Sequence, residues 1–159
     1  MITAWRIVKK KFAASAFDGE GARRNGGRWT SLGRRAVYTS STVALATLEI
    51  VAHLDSTMPL FAYSLFQVQI PEHLITSVDL SALPAKWMDY PAPPELNVIG
   101  DTWLDKEECP VLKVPSAVVG VEFNYLLNPL HRDFAGITIG PEESYRLDPR
   151  LVQADSATR

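Results

Sequence analysis

The chain has 159 residues, of which 47% are hydrophobic and 21% charged, which suits one buried core and excludes a disordered chain. Its single cysteine, Cys109, excludes an internal disulfide and points to a reducing compartment. The opening MITAWRIVKKKF lacks the apolar core of a secretory signal, and no apolar run nears the roughly 18 residues of a membrane span, so a cytoplasmic protein is expected.

The net charge of −2 conceals an asymmetry: residues 1–35 hold nine basic and two acidic side chains, the remainder seven and sixteen. A basic first third suits an anionic ligand such as a pyrophosphate. It equally suits nucleic acid or an ordinary solvated surface.

In chain order, residues 3–8 (TAWRIV) read as a first strand. Residues 18–27, rich in Gly, Asn and charge, read as loop. Residues 35–39 read as a strand, and Ser40, Ser41 and Thr42 offer N-caps for a helix over 43–54. That helix is apolar around most of its circumference and is expected to be buried on several sides. Residues 61–70 read as a strand, with Phe66, Val68 and Ile70 alternating with Gln67 and Gln69. Residues 81–103, with four prolines and two tryptophans, read as an irregular packed excursion. A strand over 111–123 is interrupted at Pro115-Ser116, and residues 134–139 are expected to close the sheet. Few helices among five or six short strands predict an α+β fold with a mostly antiparallel or mixed sheet.

The chemistry-bearing residues start with Glu49, set among Leu45, Ala46, Leu48, Ile50, Val51 and Ala52. A carboxylate on so apolar a helix must be paired, hydrogen-bonded or neutralised. It is either the floor of a cleft or half of a structural ion pair, and His53 lies one turn on. Gly26-Gly27 would let the backbone approach a ligand, and Arg28 after them would offer its fork to a phosphate; the plain alternative is a tight turn with a solvated arginine. Tyr38 ends a strand that feeds the Glu49 helix, so its ring either stacks on a planar ligand or packs in the core. Ser116 follows Pro115 at the strand break, without the G-x-S-x-G of a nucleophile elbow. Asn128 and His131 fall in a turn, NPLH, and His131 is a base or a turn cap. The stretch Gly19-x-Gly21 does not continue as a dinucleotide fingerprint, there is no Walker A pattern, and the three histidines have no metal-ligand spacing.

Taken together, GGRW at 26–29, AVYTSS at 36–41, LATLEIVAHL at 45–54, IGDTWL at 99–104, LKVPSAVV at 112–119, EFNYLLNPLH at 122–131 and DPRL at 148–151 resemble the RES domain, in that order and over almost the whole chain. The Arg, Glu and Ser of the family name correspond to Arg28, Glu49 and Ser116. Thr30 departs from the pattern, which commonly has Asn there. The resemblance implies a single RES domain over 1–159, with 152–159 a frayed tail. It implies an ADP-ribosyltransferase-like fold, two small sheets enclosing an NAD cleft.

It further implies a toxin that consumes NAD by hydrolysis or phosphorolysis, or that transfers ADP-ribose to a protein. No metal is expected. The implied partner is an Xre-type helix-turn-helix antitoxin, in a homo-oligomer or a hetero-oligomer with it, and no direct nucleic-acid binding is expected except through that antitoxin. On this reading Arg28, Tyr38 and Glu49 are catalytic. Arg28, Arg6, Tyr38, Ser116 and Asn128 bind NAD, with Ser116 a hydrogen-bond donor rather than a nucleophile. The alternative of another class is a non-catalytic nucleic-acid- or protein-binding module built on the basic first third.

Overall fold

The computed structural model describes residues 1–54 and 62–152. Strand β1 (Ile2–Lys9) pairs antiparallel along its whole length with β3 (Tyr63–Ile70), from Ile2 opposite Ile70 to Lys9 opposite Tyr63. On the other flank of β1 lies β2 (Val37–Ser40), and beyond it β6 (Phe123–Leu127), β5 (Val111–Pro115) and β4 (Ile75–Ser77). Among the described residues only the β4–β5 pair is parallel. Two short strands, β7 (Thr138–Ile139) and β8 (Glu143–Tyr145), both pair with β3.

The fold is thus α+β as expected, but the two expected sheets are one continuous sheet. They are joined through a single register pair, Trp5 opposite Ser40. Beside that pair β1 and β2 part, and the gap between them is the mouth of a cleft. The Arg6 guanidinium reaches across the seam and donates from Nη1 to the Tyr38 carbonyl at 2.8 Å.

Alternation distributes the core over both faces. Val37, Val111, Tyr125 and Leu127 join one apolar cluster with Ala4, Val68 and Ile70. Leu112, Val114 and Leu126 join a second cluster with Trp29, Leu96, Trp103 and Leu104. The second is roofed by a helix, α3 (Glu95–Lys106), within what reads from sequence as an irregular excursion. Pro93 and Pro94 mark its start, since a proline needs no donor at a helix N-terminus, and Leu96, Gly100, Trp103 and Leu104 form its buried stripe. Gly100 is required there: a Cβ would stand 1.7 Å from the Trp29 carbonyl oxygen.

The stretch read as loop also holds a short helix, α1 (Glu20–Asn25). Asp18 accepts from the Glu20 amide at 2.8 Å, and Glu20 bonds Arg23 and Arg24 at the i+3 and i+4 spacings of a helix surface. The central helix, α2 (Val43–Ala52), is capped by Thr42, whose hydroxyl accepts from the Leu45 amide. It is less enclosed than its composition suggests. Leu45, Ala46 and Thr47 are buried, whereas Leu48 is 39% exposed on the open side. The interruption at Pro115-Ser116 is a chain reversal between β5 and β6 rather than a break within one strand. Residues 132–136 form a 3-10 turn, leaving only β7 of the expected closing strand. From residue 153 the expected frayed tail lies outside the described residues, and no described helix is long and apolar enough to cross a membrane.

Candidate active site

The seam between β1 and β2 opens into a cleft of about 340 Å³. Trp5, Arg6 and Ile7 of β1 and Tyr38, Thr39 and Ser40 of β2 form its walls, and Ala46, Glu49, Ile50 and His53 of α2 run along it. Those four positions follow the i, i+3, i+4, i+7 spacing of one helix face, so a single turn-by-turn stripe presents Glu49 to the cleft.

Glu49 is held through one oxygen. Its Oε1 accepts from Ser116 Oγ at 2.7 Å and from Asn124 Nδ2 at 2.6 Å. The Ser116 hydroxyl is buried, and its oxygen accepts from the Val118 and Val119 amides at 3.1 and 3.0 Å. With both lone pairs so engaged, its one proton is directed at the carboxylate. Among the described residues Glu49 Oε2 makes no hydrogen bond. Nor does Asn124 Oδ1, a buried acceptor without a partner. The unsatisfied Asn124 oxygen is an exception to the rule that buried polar atoms find partners.

Arg28 stands on the loop after α1. Its Nη1 donates to the carbonyls of Trp87 and Asp89 at 2.8 and 3.0 Å. Burial pulls its guanidinium below the ordinary arginine range, and the nearby charges of Glu49 and Asp89 partly oppose this. The loop is fixed from α3, where Asn97 Nδ2 donates to the Gly27 and Arg28 carbonyls and Asp101 accepts from the Ser31 amide. Gly27 is needed because a Cβ would meet the Tyr38 hydroxyl at 2.4 Å.

The Tyr38 hydroxyl is itself engaged, by Thr30 Oγ1 at 2.9 Å and the Trp29 amide at 3.3 Å. Burial raises its pKa above the ordinary phenol value, so it stays neutral. Thr30, the departure noted in the sequence, is fully buried and serves this bond. Arg6 is half-buried, donates to the Ala16 carbonyl from Nε at 2.6 Å as well as to Tyr38, and is brought down to about 10 by desolvation, still protonated at neutral pH.

The structure thus gathers Arg6, Arg28, Tyr38 and Glu49 around one cleft, with Ser116 behind Glu49. Asn128 is not among the lining residues. Its Oδ1 accepts from the Leu130 amide, because β6 ends at Leu127 and Asn128 shapes the turn that follows. His131 caps the next 3-10 turn: Nδ1 accepts from the Asp133 amide, leaving Nε2–H to donate to the Glu107 carbonyl. His53 lines the cleft, and since a carbonyl only accepts, the 2.7 Å contact with the Glu49 carbonyl puts its proton on Nδ1. Sequence reading missed Asn124. The available signal was an asparagine inside a strand, a disfavoured position that asks for a reason.

The fold is that of a solved structure. The chain superimposes on a chain of the M. tuberculosis MbcT–MbcA toxin–antitoxin complex with a TM-score of 0.68 and 19% identity, covering 95% of this chain and 86% of the other. It belongs to the RES-domain family, whose model matches residues 3–148. It is 38% identical to "Toxin Res" of Yersinia enterocolitica over 92% of this chain and 97% of that protein. It is 35% identical to "Prs ADP-ribosylating toxin" of Sphingobium sp. over 94% and 96%.

Proposed function

We propose that this chain is the toxin of a toxin–antitoxin pair and that it cleaves the nicotinamide–ribose bond of NAD, with water or phosphate taking the ADP-ribose. The observation that carries this reading is Glu49: a carboxylate fixed through one oxygen by two donors, its other oxygen without a hydrogen bond among the described residues, in a cleft that Arg28 also lines.

Leaving nicotinamide takes the bonding electron pair, and an oxocarbenium-like ribose forms. A carboxylate that accepts from the ribose 2′-hydroxyl tightens its hold as that positive charge grows, which favours the transition state over bound substrate. Glu49 Oε2, which makes no hydrogen bond among the described residues, is the acceptor suited to a ribose hydroxyl. Ser116 and Asn124 act through Glu49 by fixing its orientation. Arg28 holds the pyrophosphate, with Arg6 behind it. Tyr38 lends its ring to the wall, its hydroxyl being occupied. His53, with Nε2 unbonded among the described residues, is suited to take the proton of the incoming acceptor.

The test is nicotinamide release from NAD by the antitoxin-free protein, with and without phosphate, beside Glu49→Gln. Wild type releases nicotinamide and the variant does not; equal release or none from both sinks the reading.

Transfer of ADP-ribose to a protein is the second reading, favoured by the name of the Sphingobium relative. It predicts that radiolabelled ADP-ribose stays on a protein band of a lysate rather than in the small-molecule fraction. The partner we infer is an Xre-type helix-turn-helix antitoxin, since the structural neighbour was solved as a toxin–antitoxin complex. A nucleic-acid-binding module draws less support, because the basic first third is largely spent locally. Glu20 pairs with Arg23, Arg24 and Arg35, Asp105 with Arg34, and Arg6 and Arg28 line the cleft.

A further inference from the structure

The chemistry proposed above uses only the lobe over Glu49. A second lobe of about 310 Å³ adjoins it and shares Gly27, Arg28 and His53. Its remaining walls include Asn25, Tyr90 and Asn97. A ligand with one bulky half fills one lobe; a ligand with two bulky halves joined by an anionic bridge fills both, with the bridge over the shared arginine.

Tyr90 gives the second lobe its character. Its side chain is 84% exposed, although it stands on the wall of a concavity. A single exposed aromatic is ordinary on a protein surface. This one is not on a free loop. Arg28 Nη1 ties down the carbonyls of Trp87 and Asp89, so the chain leading into Tyr90 is anchored by the very cation that divides the lobes. The facing wall is anchored too, through Asn97 Nδ2 to the Gly27 and Arg28 carbonyls. The backbone that carries Tyr90 is therefore tied to the guanidinium. The amide oxygens of Asn25 and Asn97 make no hydrogen bond among the described residues, which leaves two acceptors beside the ring.

We propose that the second lobe is a purine subsite: the adenine of NAD stacks on Tyr90, its exocyclic amine meets the Asn25 or Asn97 amide oxygen, and Arg28 bridges the lobes at the pyrophosphate. An aromatic face accepts any planar base, while an acceptor pair favours a base with an exocyclic amine. This assignment rests on the NAD reading of the first lobe and adds that the enzyme reads the whole dinucleotide.

The test is to titrate wild type, Tyr90→Ala and Tyr90→Phe with ADP-ribose and with ribose 5-phosphate by calorimetry, and to compare kcat/KM for NAD with that for nicotinamide mononucleotide. Losing a base stack should weaken ADP-ribose binding about tenfold in Tyr90→Ala, while Tyr90→Phe, which keeps the ring, stays within about twofold. The preference for NAD over the mononucleotide should fall by a similar factor in Tyr90→Ala. The proposal is overturned if Tyr90→Ala binds ADP-ribose as wild type does, or if it loses ADP-ribose and ribose 5-phosphate in equal proportion. Tyr90-dependent binding of ADP-ribose without nicotinamide release would keep the subsite and sink the cleavage reading. If wild type binds neither ligand, both fall.

Discussion

The two lobes are built by different means. The floor under Glu49 is assembled on regular elements: α2 carries the carboxylate, β6 carries Asn124, and Ser116 follows directly on β5. Each contact there is a side chain meeting a side chain, with amides locking the serine. The rim around Arg28 is a loop braced from α3, and its contacts are side chains meeting main-chain carbonyls, Arg28 to Trp87 and Asp89 and Asn97 to Gly27 and Arg28. A floor of that kind suits fixing charge at a bond being broken; a rim of that kind suits holding a long substrate that must enter and leave. Changes in the floor should therefore act on kcat and changes in the rim on KM.

The largest effect should come from Glu49→Gln. It keeps the shape, removes the charge, and should lower kcat for nicotinamide release by about a thousandfold, in line with the loss of a preorganised electrostatic partner. Comparable melting curves for the two proteins would show that the loss is chemical. A kcat within about threefold of wild type would place the transition-state charge elsewhere and break the floor–rim distinction.

Arg28→Lys should come next. Lysine keeps a charge but cannot serve two carbonyls and a bidentate phosphate from one planar fork, so KM for NAD should rise about tenfold or more with a smaller change in kcat. A change confined to kcat would move Arg28 from rim to floor.

How much of this was open to sequence reading differs between the two regions as well. Glu49 stood out because a carboxylate on an apolar helix demands a partner, and a short-range rule was enough to flag it. Which partners it had was not legible, since Ser116 and Asn124 lie 67 and 75 residues away and only the β5–β6 reversal brings them under α2. That Asn124 lines the cleft and Asn128 does not was illegible for the same reason: nothing local says where β6 ends. The rim was misread through its punctuation. Pro93-Pro94 read as part of an irregular packed excursion and the glycines around α1 as loop, although Leu96, Gly100, Trp103 and Leu104 carry a helical period and Glu20 faces arginines at helical spacing. Two sheets rather than one is a finer miss. A single pair, Trp5 with Ser40, decides it, and one ladder position leaves no trace in the pattern of either strand.

Glycine contacts offer a sharper structural test. Gly100→Ala drives a methyl into the Trp29 carbonyl across the α3 contact, both sides of which are main chain, and should cost about 3 kcal/mol or more, seen as a lowered Tm. Gly27→Ala meets the hydroxyl and ring edge of one side chain, Tyr38, and should cost about 1–2 kcal/mol while raising KM, because the ring and the Arg28 loop move together. Equal Tm shifts for the two would mean that the rim is as stiff as the core.

The smallest effect concerns acid. Bonds from Arg23 and Arg24 bring the Glu20 carboxyl down to about 2, against an ordinary value of 4.5. A carboxylate depressed in the folded state contributes its stabilisation above the unfolded value and loses it as pH falls through the folded one. The pairs that hold α1 are therefore intact above pH 4.5 and come apart between there and about 2. The Glu20 pairs lie at the surface, with Arg23 and Arg24 well exposed and screened by solvent, so the contribution to global Tm is small. The consequence should be local, because α1 leads directly through Gly26 and Gly27 into Arg28. Lowering the pH from 7 toward 4 at constant ionic strength should leave the Tm difference between wild type and Glu20→Gln nearly constant, and it should shrink only below that. At pH 7, Glu20→Gln should raise KM for NAD about twofold with kcat unchanged, since a freer α1 loosens the rim and leaves the floor alone. If Glu20→Gln instead lowers kcat, the two lobes are mechanically coupled through α1, and the distinction between floor and rim holds for their construction but not for their work.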